Sequence, residues 1–313
     1  MTMPIYVVGH RNPDTDSICS AIAYAHLKHC LGETNVKAAR AGDVDAETAY
    51  VLRRFGVDAP ELLTDASGLD LVLVDHNEVG QALPHIERAN ILEVWEHHRI
   101  GDLRLPNPIL FHCEPVGATA TLIAELYSAH GVTPTREMAG IMLASILSDT
   151  VLFRSPTTTE KDRAIAARLS ALAGVAPDEL GGEMLRIKAA DSERKSATQI
   201  VRDDLKVFEL GDMRIGVAQV EVARAGAFLE RKGEILREMR ALRESSALTQ
   251  MILMITDVEA KASDLWFVGE RADVFEQAFG RLSDDAVHLP GCMSRKKQVV
   301  PRLQTAIEGT ASA

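Results

Sequence analysis

Little of this chain is aromatic. Phe, Trp and Tyr make up 4% of 313 residues, too few to line a channel with stacked bases. Positive charge is also in deficit. The 34 Lys and Arg face 45 Asp and Glu, leaving a net charge of -11, which argues against general binding to nucleic acid or to an anionic membrane. No apolar run approaches the roughly 18 residues of a membrane span. Met1-Thr2-Met3-Pro4 lacks a basic region and leads straight into an apolar strand, so no secretory signal is expected. The four cysteines (Cys19, Cys30, Cys113, Cys292) show no CxxC spacing. They are expected to be reduced thiols of a cytoplasmic protein, mostly packing residues. There is no internal repeat and no low-complexity stretch. What remains is ordinary soluble material, 46% hydrophobic and 25% charged, of a length that suggests about two domains.

The chain is organised around Tyr6-Val7-Val8-Gly9-His10-Arg11-Asn12-Pro13-Asp14-Thr15-Asp16-Ser17. Ile5 to Val8 reads as a buried strand. Gly9 ends it, and Pro13 forbids an immediate helix. Asp16 or Ser17 is expected to cap a helix running to about Cys30. One imidazole and two carboxylates, His10, Asp14 and Asp16, thus follow a strand end, where open α/β sheets place their ligands. Such a donor set suits manganese, cobalt, zinc or iron. A histidine beside two capping aspartates is the plainer reading of the same residues.

Strands are expected at 36–42, 61–64 and 71–74, the last a continuous apolar run typical of a central parallel strand. Asp75 stands where it stops. A helix is expected over 79–89, a strand over 91–95, then the polar cluster Glu96-His97-His98-Arg99. A strand at 109–112 and helices at 119–130 and 135–147 follow. The last helix is apolar nearly all round, hence buried, and runs into Ser148-Asp149-Thr150. This alternation predicts an α/β N-terminal domain, a mostly parallel sheet with helices on both faces. It is expected over residues 1–188, with a linker at 189–196. A smaller mixed-sheet domain is expected at 197–313, with strands at 207–210, 213–222, 250–258 and 263–269 and helices at 197–204, 226–245 and 272–279. The active site is expected in the cleft between the domains.

The polar strand-end residues form a constellation: His10, Asp14, Asp16, Asp75, His97, His98 and Asp149. If their strands are neighbours, these groups meet at one sheet edge. Four carboxylates there would repel one another without cations. Seven groups suffice for two metal ions sharing Asp75. Two metals about 3.5–4 Å apart activate a water and clamp a transferring phosphoryl group. Neighbours on an extended chain point in opposite directions, so His97 and His98 are expected to have separate roles. His76 and Asn77 are expected either to orient ligands or to touch them, and Arg11 and Asn12 either to touch phosphate or to hold the turn. Arg295 and Lys296, in a Gly/Ser-containing loop, and Lys206, near the first strand of the second domain, could hold an anion. A solvated charge run is the plainer reading of Arg295-Lys296-Lys297.

The pieces Gly9 to Ser17, Val74-Asp75-His76-Asn77-Glu78, Glu96-His97-His98-Arg99, Leu147-Ser148-Asp149-Thr150 and Ser294-Arg295-Lys296-Lys297-Gln298 resemble the family II inorganic pyrophosphatases. These form the manganese-dependent branch of the DHH phosphoesterase superfamily. The resemblance covers essentially the whole chain, with five motifs in order. It implies that His10 and Asp14 bind one metal, that Asp16, His97 and Asp149 bind the other, and that Asp75 bridges both. It places His98 by the substrate and gives Lys206, Arg295 and Lys296 the phosphates. Asp75, His98 and Asp14 are the residues expected at the chemistry. The implied reaction is hydrolysis of pyrophosphate to two orthophosphates, with a metal-bridging hydroxide as the attacking group. Two Mn2+ (or Co2+) per subunit are implied, with Mg2+ arriving with the substrate, in a cytoplasmic homodimer formed through the N-terminal domain. Some members carry a regulatory insert with CBS modules. The span between Asp75 and Asp149 is too short for one, so adenine-nucleotide control by that route is not expected.

Within the superfamily, a polyphosphatase or a phosphodiesterase acting on oligonucleotides or cyclic dinucleotides is the alternative. The second domain reads Ser-Arg-Lys-Lys rather than a Gly-Gly-Gly-His type motif, which suits a small dense anion better than a strand of bases. A metal-binding scaffold without turnover is the third reading, and it would be favoured by the loss of a ligand. None is missing.

Overall fold

The computed structural model describes residues 3–202, 204–222 and 226–311. The chain forms two units, Met1–Met184 and Leu185–Ala313.

The first unit is built on a six-stranded sheet in the order β3-β2-β1-β4-β5-β6. Its strands are β1 (Ile5–Val8), β2 (Val36–Arg40), β3 (Glu61–Leu62), β4 (Asp70–Val74), β5 (Asn90–Glu96) and β6 (Leu110–Cys113). Every pairing is parallel. Alternation sends Val7, Val72 and Val74 to one face and Val8, Leu71 and Leu73 to the other. The first face lies under helices α1 (Thr15–Cys30), α3 (Thr119–Ala129), α4 (Arg136–Asp149) and α5 (Glu160–Ala173), with α2 (Ala46–Phe55) beside them. On the second face no long helix forms. The helix expected over 79–89 is two short 3-10 turns, Val79–Gln81 and Ile86–Arg88. Pro84 between them cannot continue a helix, and Gly80 weakens one. Their apolar residues Leu83 and Ile86 still cover the sheet.

Strand order reverses direction at β1 and β4, which lie side by side. In such a sheet the connections leaving these strands diverge to opposite sides, opening a crevice at their carboxyl ends. His10 follows β1 and Asp75 follows β4.

The stretch expected as a linker, 189–196, is mostly helical. Helix α6 runs from Pro177 to Arg194, and Pro177 suits its first position. The boundary between the units falls within it.

The second unit has a five-stranded sheet in the order β11-β10-β9-β8-β7. The strands are β7 (Leu205–Leu210), β8 (Met213–Val222), β9 (Gln250–Asp257), β10 (Ala262–Gly269) and β11 (Ala286–Pro290). Only β8 and β9 pair in parallel, so the sheet is mixed. Two apolar clusters cover its two faces. One includes α10 (Ala272–Phe279) and α11 (Val300–Ala311), the other α7 (Ala197–Arg202) and α9 (Lys232–Ser245). The single helix expected over 226–245 is two, α8 (Gly226–Leu229) and α9.

Candidate metal centre

Asp14, rather than Asp16 or Ser17, caps α1. Its backbone is extended and its carboxylate accepts from the Ser17 amide at 2.9 Å. Gly9 lets the helix start this close to β1, since a Cβ there would sit 1.8 Å from Ser17 Oγ. Asp16 therefore lies in the first turn of α1, fully buried. Its carboxylate accepts from Ser20 Oγ at 3.0 Å and from the amides of Thr119 at 2.7 Å and Ala120 at 3.0 Å. Those amides open α3, so the positive end of that helix supports the buried charge.

Asp75 leaves β4 in the left-handed region, at φ 60, which Asp tolerates better than branched residues. Its two oxygens face different partners. Oδ2 lies 3.3 Å from His10 Nε2, and that nitrogen is 3.5 Å from Asp14 Oδ2. Oδ1 lies 3.1 Å from His97 Nε2, which is 3.5 Å from Asp149 Oδ2. Two of the three clusters built on Asp75 among the described residues are His10–Asp14–Asp75 and Asp16–Asp75–His97–Asp149. In each, one candidate ligand atom per residue lies within 4.8 Å of the others. They bring together the residues that the resemblance assigns to each metal, with Asp75 in both. Among the described residues, Asp75 Oδ2 is buried without a hydrogen-bond donor. That orphaned oxygen, in an imidazole and carboxylate setting, fits divalent manganese or cobalt. The Val116 carbonyl, 3.1 Å from His97 Nδ1, fixes the imidazole so that Nε2 faces the cluster.

Electrostatics point the same way. Burial opposes charge on His10, yet Asp14 and Asp75 together outweigh it and lift its pKa from 6.5 to about 10. Burial also opposes ionisation of Asp75, but the imidazoles of His10 and His97 beside it hold its carboxyl well below the usual range. Burial and the adjacent Asp75 push Asp16 up to about 7, against the pull of His97. Protons thus do the work here that cations would do better. Asp149 is placed by α4, which stops immediately after it. Val151, Leu152 and Phe153 then follow at φ 48, 54 and 60, a left-handed turn that costs about 1–2 kcal/mol per residue.

The histidine pair departs from expectation. β5 ends at Glu96, so His97 and His98 are not on an extended strand. Their rings meet edge to face with centroids 4.2 Å apart, and both turn toward Asp75 Oδ1, His98 Nδ1 at 3.6 Å. Their partners still separate them, since His98 Nδ1 bonds to Glu96. Glu96, which the sequence reading did not single out, is fully buried. The only signal for it was its position, an acid directly before two histidines. His76 sends Nδ1 to the Val74 carbonyl at 2.9 Å, and burial lowers its pKa to about 4. Asn77 donates to Glu96. Neither reaches a candidate ligand: His76 bonds the strand it follows, and Asn77 bonds Glu96. Arg11 and Asn12 are exposed, and the Arg11 amide holds the turn through the Gln81 carbonyl at 2.8 Å.

In the second unit, Lys206 lies within β7, opposite Val217 of β8. The Val217 carbonyl accepts from Arg295 Nη1 at 3.0 Å. Lys206 and Arg295 are thereby brought to one corner of this sheet. Arg295 opens a π-type turn, Arg295–Val299, that leads into α11. Its side chain is 5% exposed and is tied to Asp204, Nη1 to the carbonyl at 2.6 Å and Nη2 to Oδ1 at 2.8 Å. The sequence reading gave no such partner. Lys296 is exposed beside it.

Residues 4–146 match the family model for the DHH family N-terminal domain, and 182–306 match the DHHA2 domain. A manganese-dependent inorganic pyrophosphatase of Methanothrix thermoacetophila is 48% identical over 307 residues, covering 97% of this chain and 98% of that protein. The chain belongs to this family of pyrophosphatases. A Clostridium acetobutylicum protein named "probable manganese-dependent inorganic pyrophosphatase" is 42% identical, covering 97% of this chain and 98% of the relative. A Methanococcus jannaschii crystal structure, described as a candidate family II inorganic pyrophosphatase, superimposes with a TM-score of 0.88 at 38% identity, over 97% of this chain and all of that one. The two-unit α/β architecture is that of the family.

Proposed function

We propose that this chain hydrolyses inorganic pyrophosphate to two orthophosphates in a manganese-dependent reaction. The carrying observation is Asp75, whose two oxygens face two separate candidate ligand groups. His10 and Asp14 hold one ion, and Asp16, His97 and Asp149 the other, with Asp75 shared. Two Mn2+ per chain are proposed, with Co2+ as a substitute and Mg2+ entering with the substrate. Divalent ions held there neutralise phosphoryl oxygens and lower the pKa of water. The chain's own part is to fix those ligands, through the Val116 carbonyl on His97 and the α3 amides on Asp16. His98 contacts the substrate, and Lys206, Arg295 and Lys296 take the phosphates. Arg295 is already oriented by Asp204.

Further parts of the reading rest on family likeness and composition. No helix among the described residues is long and apolar enough to cross a membrane, and a cytoplasmic enzyme is proposed. A homodimer through the N-terminal domain is supported by β6, an edge strand with Leu110 48% and Phe111 39% exposed. Unpaired edge strands invite pairing with another chain. Sedimentation of the purified protein tests it, a monomer at micromolar concentration being the adverse result. A domain division at 188 and 197 remains our reading of where the sequence changes character.

The function is tested by phosphate release after preincubation with Mn2+ and assay with Mg2+. Pyrophosphate, tripolyphosphate and a dinucleotide are compared. Release from pyrophosphate far above the other two is expected. Silence on pyrophosphate with release from either of the others would overturn the reading.

A further inference from the structure

Glu96 closes β5 with no exposed surface. A carboxylate so placed must be compensated, and three donors converge on it. The His97 amide reaches Oε2 at 2.7 Å, and Asn77 Nδ2 reaches Oε1 at 3.0 Å. His98 Nδ1 lies between the two oxygens, 3.0 Å from Oε1 and 3.1 Å from Oε2. Asn77 is itself braced, by the Arg99 carbonyl at 3.0 Å and by the Gly101 amide.

Asp75, Glu96, His97 and His98 are spaced closely enough to be considered as a further ligand group. The bonding argues otherwise. Three donors already occupy the Glu96 carboxylate, one from the His97 amide, one from Asn77 and one His98 N–H shared between the two oxygens, and all three come from groups beside the candidate ligands. We infer that Glu96 is not a metal ligand but the positioning residue for His98, holding the imidazole through Nδ1 so that contact with phosphate is made through Nε2. The same carboxylate fixes the backbone amide of His97, so one buried acid sets the geometry of a candidate ligand and of a substrate contact together. Outer partners of this kind commonly fix the tautomer and orientation of functional histidines. The inference rests on the pyrophosphatase reading for the role of His98.

The test is a double-mutant cycle on the manganese-loaded protein, using E96Q, H98Q and the double variant. Imidodiphosphate binding is measured by calorimetry, bound manganese by metal analysis, and kcat and KM with pyrophosphate. E96Q keeps the shape and removes the charge. It is expected to weaken imidodiphosphate binding and raise KM about tenfold, the scale of a charged hydrogen bond, with manganese content unchanged. In the H98Q background the same change is expected to shift binding less than about twofold, because Glu96 acts through His98. Loss of manganese in E96Q would make Glu96 a ligand and overturn the inference. Equal losses in both backgrounds would do so too, showing a general structural role. Wild-type protein that neither binds imidodiphosphate nor hydrolyses pyrophosphate would overturn the function itself, and the inference with it. If E96Q does not fold, N77A removes a brace of Glu96. A smaller rise in KM that vanishes in H98Q supports the inference, and one that persists there overturns it.

Discussion

In the first unit, Asp14, Asp16, Asp75 and Asp149 crowd one sheet end with two imidazoles between them, and His10 stays protonated to hold the set together. In the second, Arg295 is buried just as deeply, yet Asp204 and two backbone carbonyls meet its charge. One unit has gathered more carboxylates than its imidazoles and helix amides balance, and leaves the remaining compensation to something outside the chain. The other carries its counter-ion, Asp204, directly before β7. Buried charge that the chain balances is a structural device. Buried charge that it leaves unbalanced is a binding site.

The sharpest way to break this contrast is Asp75→Asn. It removes the carboxylate common to both groups, so bound manganese should fall and kcat on pyrophosphate should drop at least about 10^3-fold, the scale of several kcal/mol of lost charge stabilisation. Full manganese content in that variant would remove Asp75 from its proposed place. Next comes the metal itself. Mn2+ at about 100 times its dissociation constant should stabilise the folded protein by roughly 2.7 kcal/mol over the chelated form. A melting temperature indifferent to chelator would show that the first unit is balanced after all.

Asp204→Asn probes the other side. Losing the counter-charge of a buried guanidinium should cost about 1–2 kcal/mol, given that the Asp204 side chain is half exposed. Urea midpoints should fall while manganese content stays at the wild-type level. A change in metal content would blur the distinction between the two units. The smallest effect concerns pH. In metal-free protein the pKa of His10 is raised from 6.5 to about 10 and that of Asp16 from 3.8 to about 7. A raised folded-state pKa gives stability that is complete below the unfolded value and lost as pH climbs through the folded one. Both groups therefore make metal-free protein less stable from about pH 5 to pH 9, by a few degrees in calorimetry. Manganese should flatten that slope by taking the place of the protons. A metal-free melting temperature that rises over the same interval would contradict both signs.

Much of this was legible in the sequence because it is local. Leu71 to Val74 is apolar without interruption, and Asp75 marks its end in any reading. The candidate ligands follow strands or a buried helix, so their chemistry could be gathered before their distances were known. Other features depend on residues far apart. Nothing near Arg295 in sequence predicts Asp204, 91 positions away. Glu96 could be seen only as one more acid, since its meaning comes from His98 and Asn77 closing on it. The expected helix at 79–89 is broken into two short turns because Gly80 and Pro84 interrupt it, whatever its apolar spacing. β11 escaped notice because Ala286 to Pro290 is short and ends in proline. It stands at the sheet edge, where proline is tolerated.

The spread of the candidate ligands bears on how the protein comes into being. His10 and Asp149 are 139 positions apart in the sequence. The groups on Asp75 require β1, β4 and β5 to lie side by side, with α1 and α4 packed over them. Parallel pairing of this kind is slow, because distant segments must be brought together before any reward is felt. Metal uptake therefore requires that β1, β4 and β5 have paired and that α1 and α4 have docked, the elements that carry or precede the candidate ligands.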